Sequence, residues 1–350
     1  MKSVLQALPE PSMESLSTEQ LKEAWLSSEP VQFGDPILAN ANFALRRTYF
    51  PLGFPAVISS NCEEVFEAAD QSWGHFNQLF DTEPITLQIG VTRGDTSVCP
   101  PTPECRGRGY LITNTADSEN FCFCDLSQGN AIVWVTGAAL KHRDYFRYFF
   151  LESSMMCLLA NRYVTGIHAG CVALNGAGIL LCGDSGAGKS TLSYACARAG
   201  WTYITDDGSF LILGGNNHQV VGNCYQARFR PSAGELFPEL RGYSVMQRAG
   251  VGKPSVELAT DEVATIARSE TARIRHIVFL KRNVSTQELV TFPTPVARLY
   301  LQQGISYVPW QVDEKMQAID GLLALGALEL RYNELDWAVE RLRLLAGEGR

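Results

Sequence analysis

One short segment restricts the fold of this chain more than any other. Residues 178–191 run from an apolar stretch, Ile179–Cys182, through a glycine-rich turn into a segment with helical spacing of small and apolar residues. Gly200 then supplies a helix stop signal. Strand, glycine turn and helix in immediate succession predict an α/β unit that begins with a buried strand.

The glycine turn carries the spacing of a phosphate-binding loop. Gly183 is followed by four residues and then by Gly188, Lys189 and Ser190. Glycines let the backbone approach phosphate oxygens closely, and the following helix start adds N–H donors and partial positive charge. The lysine can reach the β- and γ-phosphates, and the serine hydroxyl can bind Mg²⁺. A ligand-free glycine turn is the alternative, but it would not need the Lys–Ser pair. We therefore predict ATP and Mg²⁺ as cofactors, with these nucleotide-binding residues: Gly183, Asp184, Ser185, Gly186, Ala187, Gly188, Lys189, Ser190 and Thr191.

A histidine upstream of this loop is the next candidate. Asn175 and Gly176 stand between two apolar runs, which predicts a two-residue hairpin turn. In that register Leu174 faces Ala177, and His168 faces the first glycine of the loop, subject to a shift of one residue by a bulge. A lone histidine is often structural, but this register favours a functional group at the mouth of the nucleotide site.

Two adjacent aspartates follow the next predicted strand. Trp201–Thr205 has strand character and ends in Asp206 and Asp207. An acidic residue at a strand end beside a phosphate loop commonly holds Mg²⁺. The second carboxylate can accept a proton from an attacking hydroxyl. A simple Asp-Asp-Gly turn is the structural alternative, but the position after the strand–loop–helix unit favours function.

Together these features resemble the catalytic domain of the HPr kinase/phosphorylase family. That family phosphorylates a seryl hydroxyl on a phosphocarrier protein, with a fold related to phosphoenolpyruvate carboxykinase. The matching segments are His168, Gly183–Ser190, Ala197–Trp201 and Asp206–Asp207. In Arg273–Leu280 and Leu330–Leu342 the chain resembles a broader group of related kinases. The family has an acidic residue after the loop serine, where this chain has Thr191, and its signature segment is matched only by Glu239–Gly242.

The resemblance implies a role for each site residue. Lys189 would hold phosphates, Ser190 and Asp206 would bind Mg²⁺, Asp207 would be the base, and His168 would assist it. The predicted catalytic set is therefore His168, Asp207 and Lys189, and the reverse division between the two aspartates stays open. The resemblance also implies self-association, because HPr kinases assemble as hexamers.

The length of 350 residues favours two domains. We predict a smaller mixed α/β domain at 1–142, with a role in substrate recognition, and an α/β P-loop kinase domain of the HPr kinase/phosphoenolpyruvate carboxykinase type at 143–350. The local expectations are helices at 61–80 and 143–162, strands at 85–91, 131–136 and 210–213, and an irregular loop at 95–109.

Composition excludes several classes of partner. The formal charge of −8 argues against binding nucleic acid or an anionic membrane by bulk charge. No apolar run of about 18 residues predicts a membrane span, and residues 1–20 lack a signal-peptide pattern. Cysteines within apolar runs predict reduced thiols and a cytoplasmic location. Zinc binding by a cysteine cluster is a weaker alternative, because the pairs lack the usual spacing; the cysteines concerned are Cys99, Cys105, Cys122 and Cys124.

The sequence therefore predicts an ATP- and Mg²⁺-dependent kinase. Its acceptor would be a hydroxyl, with seryl as the leading expectation, on a peptide, a protein or a small molecule. A nucleotide-gated binding module without transfer to an acceptor is the alternative function. Basic residues beyond the aspartates are candidates for holding phosphates or an acidic acceptor, with Lys253 the best single one; the others are Arg228, Arg230, Arg241 and Arg248.

Overall fold

The computed structural model of the protein describes residues 42–93, 97–215, 218–247, 252–305 and 311–347. Within these ranges the chain forms three β-sheets with helices packed against them. The mixed α/β class predicted from the sequence is confirmed. Among the helices described, none combines the length and the apolar character that a bilayer span requires.

The first sheet joins seven described strands in the order β1-β2-β3-β7-β6-β5-β4. Their bounds are β1 Leu45–Tyr49, β2 Ala56–Ser60, β3 Ile85–Thr92, β4 Glu104–Arg108, β5 Leu111–Thr115, β6 Phe121–Asp125 and β7 Asn130–Thr136. β2, β3 and β7 are parallel neighbours, whereas β4 to β7 form an antiparallel meander. The predicted strands at 85–91 and 131–136 are confirmed.

The expected irregular loop at 95–109 is wrong in part. Glu104–Arg108 forms the edge strand β4, and residues 94–96 lie outside the described residues. All five side chains of β4 are exposed. The segment therefore lacks the alternation of apolar and polar residues by which a half-buried strand is recognised. It pairs with β5 along its whole length, and the Thr113 hydroxyl of β5 also donates to the Arg106 carbonyl at 3.4 Å.

Helices cover one face of the first sheet. They are α1 Glu64–Trp73, α2 Gly137–Lys141, α3 Arg143–Phe146, a π-helical segment at Arg147–Glu152, and α4 Ser153–Ala160. Phe66, Phe146 and Phe150 are fully buried in the core beneath the sheet. The helix predicted at 143–162 is confirmed, although its π-helical middle was not predicted. The helix predicted at 61–80 is shorter and spans Glu64–Trp73. Before its start, the Asn61 side chain binds the backbone of Val91, and the C-cap of the helix is Gly74.

The second sheet contains ten described strands. Their bounds are β8 Val164–Ile167, β9 Ala169–Leu174, β10 Ala177–Cys182, β11 Thr202–Thr205, β12 Ser209–Ile212, β13 Gln219–Gly222, β17 Ala267–Arg268, β18 Thr271–Arg282, β19 Glu288–Thr291 and β20 Ala327–Tyr332. The main path runs β17-β11-β9-β10-β18-β13-β12-β8, with β20 beside β18 and β19 beside β20. The strand expected at 210–213 is confirmed as β12, one residue earlier than predicted.

Four helices sandwich this sheet: α5 Lys189–Arg198, α6 Thr294–Leu301, α7 Val312–Leu323 and α8 Leu335–Gly347. The central strand β10 is buried on both faces. Leu180 and Cys182 pack with α6 and α7. Ile179 and Leu181 pack with α5 and α8 on the opposite face. This three-layer arrangement explains the continuous apolar run of β10, which is typical of a strand covered on both sides.

A third, small sheet of order β14-β16-β15 lies beside α5. Its strands are β14 Gln226–Phe229, β15 Val245–Met246 and β16 Ser255–Ala259. Single 3₁₀ turns complete the described elements, at Pro51–Gly53, Pro231–Glu235, Pro238–Leu240, Thr260–Glu262 and Gln302–Gly304. The described residues from Phe43 onward form one compact unit. The predicted domain boundary between residues 142 and 143 stays a prediction.

Candidate active site

The β9–β10 hairpin sets the position of His168. Leu174 pairs with Ala177 and the register continues without a bulge to Ala169 opposite Cys182. The turn residues Asn175 and Gly176 have φ values of 51° and 84°, as a type I′ turn requires. The predicted register is therefore confirmed. His168 and Gly183 are the next residues beyond this last pair, one on each strand.

The glycine-rich loop leads from β10 into α5 as predicted, with Gly188 at the helix N-cap. Gly188 has a left-handed φ of 104°, and a Cβ there would lie 2.7 Å from the Tyr332 hydroxyl. A Cβ on Gly183 would lie 2.8 Å from the Ala187 Cβ. Both positions therefore require glycine for conformation and for space.

The loop leaves backbone N–H groups free to bind a ligand. Ala187 donates to the Asp184 carbonyl at 3.0 Å, and Leu192 donates to the Gly188 carbonyl at 2.8 Å. The N–H groups of Gly186, Gly188 and Lys189 have no acceptor among the described residues. Such unpaired donors at the start of a helix fit the oxygens of a phosphate chain. Ser190 and Thr191 occupy the first turn of the same helix.

Lys189 lies beneath this loop and is only 5% exposed. Its Nζ is 2.8 Å from the Gly183 carbonyl oxygen and 3.4 Å from the Asp184 carbonyl oxygen. It is also 3.4 Å from Oδ1 of Asp207. The ammonium group is thus held at the loop by carbonyl oxygens, and the carboxylate of the second aspartate lies next to it.

Asp207 connects the lysine with the histidine. Its Oδ1 lies 2.8 Å from Nε2 of His168 as well as 3.4 Å from Nζ of Lys189. The side chains of His168 and Asp207 are 47% and 60% exposed. A carboxylate in this position can accept a proton from an incoming hydroxyl, and the imidazole can orient it. All three residues of the predicted catalytic set therefore come together.

Asp206 lies in a different environment from its neighbour. It is 6% exposed, and its carboxylate accepts hydrogen bonds from the Tyr203 hydroxyl at 3.3 Å and the Arg228 N–H at 3.2 Å. Burial, with a smaller contribution from Asp207, raises the pKa of Asp206 to about 6, against opposing hydrogen bonds from Ser190 and the Arg228 N–H. A buried carboxylate next to a serine hydroxyl offers the oxygen ligands that Mg²⁺ prefers.

These two oxygen donors fit a magnesium site that is completed by phosphate oxygens and water. The described residues contain no group of three or more His, Cys, Asp or Glu side chains that could hold a metal by themselves. Mg²⁺ commonly binds through one or two protein ligands and substrate phosphates, so a smaller protein ligand set suffices. Cys99, Cys105, Cys122 and Cys124 all lie among the described residues, and they are not part of any such group. The zinc alternative therefore has no support from the structure.

Sequence reasoning missed Tyr300, on α6. Its hydroxyl lies 2.6 Å from the His168 carbonyl oxygen and 2.7 Å from the Gly183 carbonyl oxygen, and it accepts a hydrogen bond from the Gly183 N–H at 2.9 Å. Burial raises the pKa of this hydroxyl. Tyr300 therefore joins the strand of the histidine to the start of the phosphate loop. It stands 117 residues from Gly183, and no local pattern marks it.

The basic residues that the sequence offers as phosphate or acceptor ligands differ in how close they lie to the phosphate loop. Arg228 forms an ion pair with Glu257 at 2.9 Å, and Arg241 donates to the Gly234 carbonyl at 2.8 Å in an exposed turn. Arg230 lines the cleft, and Arg248 lies outside the described residues. Lys253 reaches the phosphate loop, with its Nζ 3.1 Å from the Ser185 hydroxyl.

A cleft of about 1410 Å³ opens above these groups. Its floor includes Lys189, Asp207 and Lys253. His75, which follows α1, and Arg147, in the π-helical segment, line the same cleft. The volume exceeds the 300–1,000 Å³ of typical small-molecule sites, so the cleft has room for a nucleotide and part of a second substrate.

Comparisons with known proteins give little further evidence about the family or function of this chain. No protein-family model matches the chain, and no curated protein matches it. A solved structure described as the Hpr(Ser) kinase/phosphatase from Coxiella burnetii aligns with 53% of this chain and 99% of its own, at 14% identity and a TM-score of 0.27. A TM-score this low supports no conclusion about fold or function. Membership of the HPr kinase family therefore stays a prediction from the sequence.

Proposed function

We propose that the protein is an ATP- and Mg²⁺-dependent kinase that transfers the γ-phosphoryl group to a hydroxyl, with seryl as the leading acceptor. We also propose that its fold is a P-loop kinase domain of the HPr kinase type. Residues 1–142 would help to recognise the acceptor, which is a peptide, a protein or a small molecule.

One observation carries the proposal. A single carboxylate oxygen, Oδ1 of Asp207, lies 2.8 Å from His168 Nε2 and 3.4 Å from Lys189 Nζ, at the open side of a phosphate-loop motif. A protein that only binds a nucleotide needs the loop and its lysine. A kinase also needs a proton acceptor beside the site of the terminal phosphate, and Asp207 meets that need.

The residues divide the work as follows. The loop N–H groups and Lys189 would bind the phosphate chain, while Ser190 and Asp206 would hold the metal. Mg²⁺, when bound, would neutralise charge on the β- and γ-phosphates. Asp207 would accept the acceptor's hydroxyl proton, and His168 would orient that carboxylate. Tyr300 would keep the histidine strand and the loop at a fixed separation. Catalysis would then come mainly from positioning and charge stabilisation.

The proposal is tested with γ-labelled ATP and Mg²⁺ against panels of seryl peptides, intact proteins and small hydroxyl compounds. We expect label on one acceptor class with the native chain. Lys189→Ala should abolish transfer, whereas Lys141→Ala, which removes the same charge from an exposed position on α2, should not. Release of label to water alone, or nucleotide binding without turnover across all panels, would instead favour the nucleotide-gated binding module.

A further inference from the structure

Lys253 approaches the phosphate loop from a separate element. It stands in the segment that leads into β16, and its Nζ lies 3.1 Å from the Ser185 hydroxyl. Both residues line the cleft that contains Lys189 and Asp207. The loop is therefore contacted by two ammonium groups, one from its own helix and one from the segment that precedes β16.

Lys253 is connected to the aspartate Asp206 through two residues, Ser255 and Arg228. Ser255, two residues later, is buried and lies 3.4 Å from an Nη of Arg228. The backbone N–H of Arg228 donates to Asp206 at 3.2 Å. The β14–β16 ladder also pairs Arg228 with Glu257. Through Arg228, these contacts link the start of β16, two residues after Lys253, to Asp206, which directly follows β11.

The charge of Lys253 is not neutralised by the protein within the described ranges. No carboxylate there lies within ion-pair distance of its Nζ, and its contact is with the neutral Ser185 hydroxyl. Arg228, in the neighbouring strand, is paired with Glu257 at 2.9 Å. An unpaired ammonium beside a phosphate-binding loop is available to an anionic ligand, and charge-assisted hydrogen bonds to phosphate are strong.

We propose that Lys253 is a second phosphate-binding residue that contacts the terminal phosphate of a nucleoside triphosphate and so distinguishes triphosphate from diphosphate. This inference rests on the proposed nucleotide site. The loop N–H groups at the helix N-terminus serve phosphates that a diphosphate also has, whereas Lys189 reaches both the β- and the γ-phosphate. Lys253 lies outside the loop, beside Ser185. We place the third phosphate of a triphosphate there, where its negative charge would be attracted to the Lys253 ammonium group.

The test is a comparison of two affinities in one protein. Dissociation constants for Mg²⁺ with a non-hydrolysable ATP analogue and for Mg²⁺ with ADP are measured by calorimetry at fixed ionic strength. Lys253→Ala should weaken binding of the ATP analogue by about tenfold or more, as expected for a lost charged hydrogen bond. The same variant should change ADP binding by less than about twofold. Lys253→Arg should retain most of the preference, because it keeps the charge.

The matched control is Lys141→Ala, which removes one positive charge from an exposed position that does not line the cleft. It should leave both dissociation constants unchanged. An equal loss for the two nucleotides in Lys253→Ala, or no loss for either, would overturn the role of Lys253 while leaving the proposed nucleotide site intact. Failure of the native chain to bind either nucleotide would overturn both.

Discussion

The two larger sheets of this protein use polar side chains in opposite ways. In the first region, residues 43–160, the buried polar side chains among the described residues carry no charge; the Ser60 hydroxyl, for example, donates to the Ile89 carbonyl at 2.7 Å. Of its ion pairs, Arg47 with Glu63 at 2.9 Å is exposed, and Arg147 with Glu152 at 2.9 Å is half-buried. In the second region, residues 164–347, three charged side chains are buried within the described ranges.

Within the described residues, the buried Asp, Glu, Lys and Arg side chains are Lys189, Asp206 and Lys315, all in the second region. Two of them lie at the phosphate loop. Burial of a charge is unfavourable unless it is paired or hydrogen-bonded, and here it raises the pKa of Asp206 to about 6. Under the proposed function, this difference places the charged groups of the phosphate-transfer step in the second region.

The largest effect is expected from Asp207→Asn. Amide cannot accept the hydroxyl proton, so phosphoryl transfer should fall by about 10²–10⁴. Nucleotide affinity should persist, since the loop donors and Lys189 are unchanged. Rates are measured with labelled ATP and the acceptor, and binding is measured by calorimetry. If Asp206→Asn is the more damaging to chemistry and spares Mg²⁺ binding, the roles of the two aspartates are reversed.

The first region should respond in stability and not in rate. Phe66 is fully buried in the first core and does not line the cleft. Phe66→Ala should lower the free energy of unfolding by about 3–5 kcal/mol. Denaturant titration measures this loss. The transfer rate per folded molecule, measured well below the unfolding midpoint, should stay within about twofold of the native value. A large fall in that rate would contradict the separation of the two regions.

Asp206→Asn should stabilise the metal-free protein at neutral pH. Because burial raises the folded-state pKa from its ordinary value to about 6, the folded state binds more protons than the unfolded state between about pH 4 and pH 6. The native chain therefore loses stability as pH rises through that window. The asparagine variant lacks this loss and should be more stable at pH 7.5 by up to about 3 kcal/mol. Denaturant titrations in EDTA at pH 4 and 7.5 measure the difference, which should vanish at pH 4.

Tyr300→Phe tests the link between the histidine strand and the loop. It leaves the Gly183 N–H without its hydroxyl acceptor, at a cost of about 1–3 kcal/mol. We expect transfer to slow by about tenfold. Leu299→Ala is the control, because Leu299 is 68% exposed on the same helix and should have little effect. Equal losses of transfer rate in the two variants would show that the effect comes from disturbing α6 and not from losing the Tyr300 hydroxyl contacts.

The sequence predicts the parts of the site that depend on local pattern. The Asn175–Gly176 turn fixes the hairpin register, and the glycine spacing fixes the loop, so the positions of His168 and Lys189 follow from nearby residues. Tyr300 was missed because its contacts join segments that are more than 100 residues apart. Edge strand β4 was missed because its fully exposed side chains give no periodic signal.

The central claim is that His168, Lys189 and the two aspartates surround the tail of a bound triphosphate. A crystal structure of the protein with Mg²⁺ and a non-hydrolysable ATP analogue tests it most directly. The account predicts the terminal phosphate within hydrogen-bonding distance of Lys189 Nζ, the metal on Ser190 and Asp206, and Asp207 facing the open side of that phosphate. A triphosphate bound elsewhere, or a terminal phosphate out of reach of both Lys189 and Asp207, would contradict it.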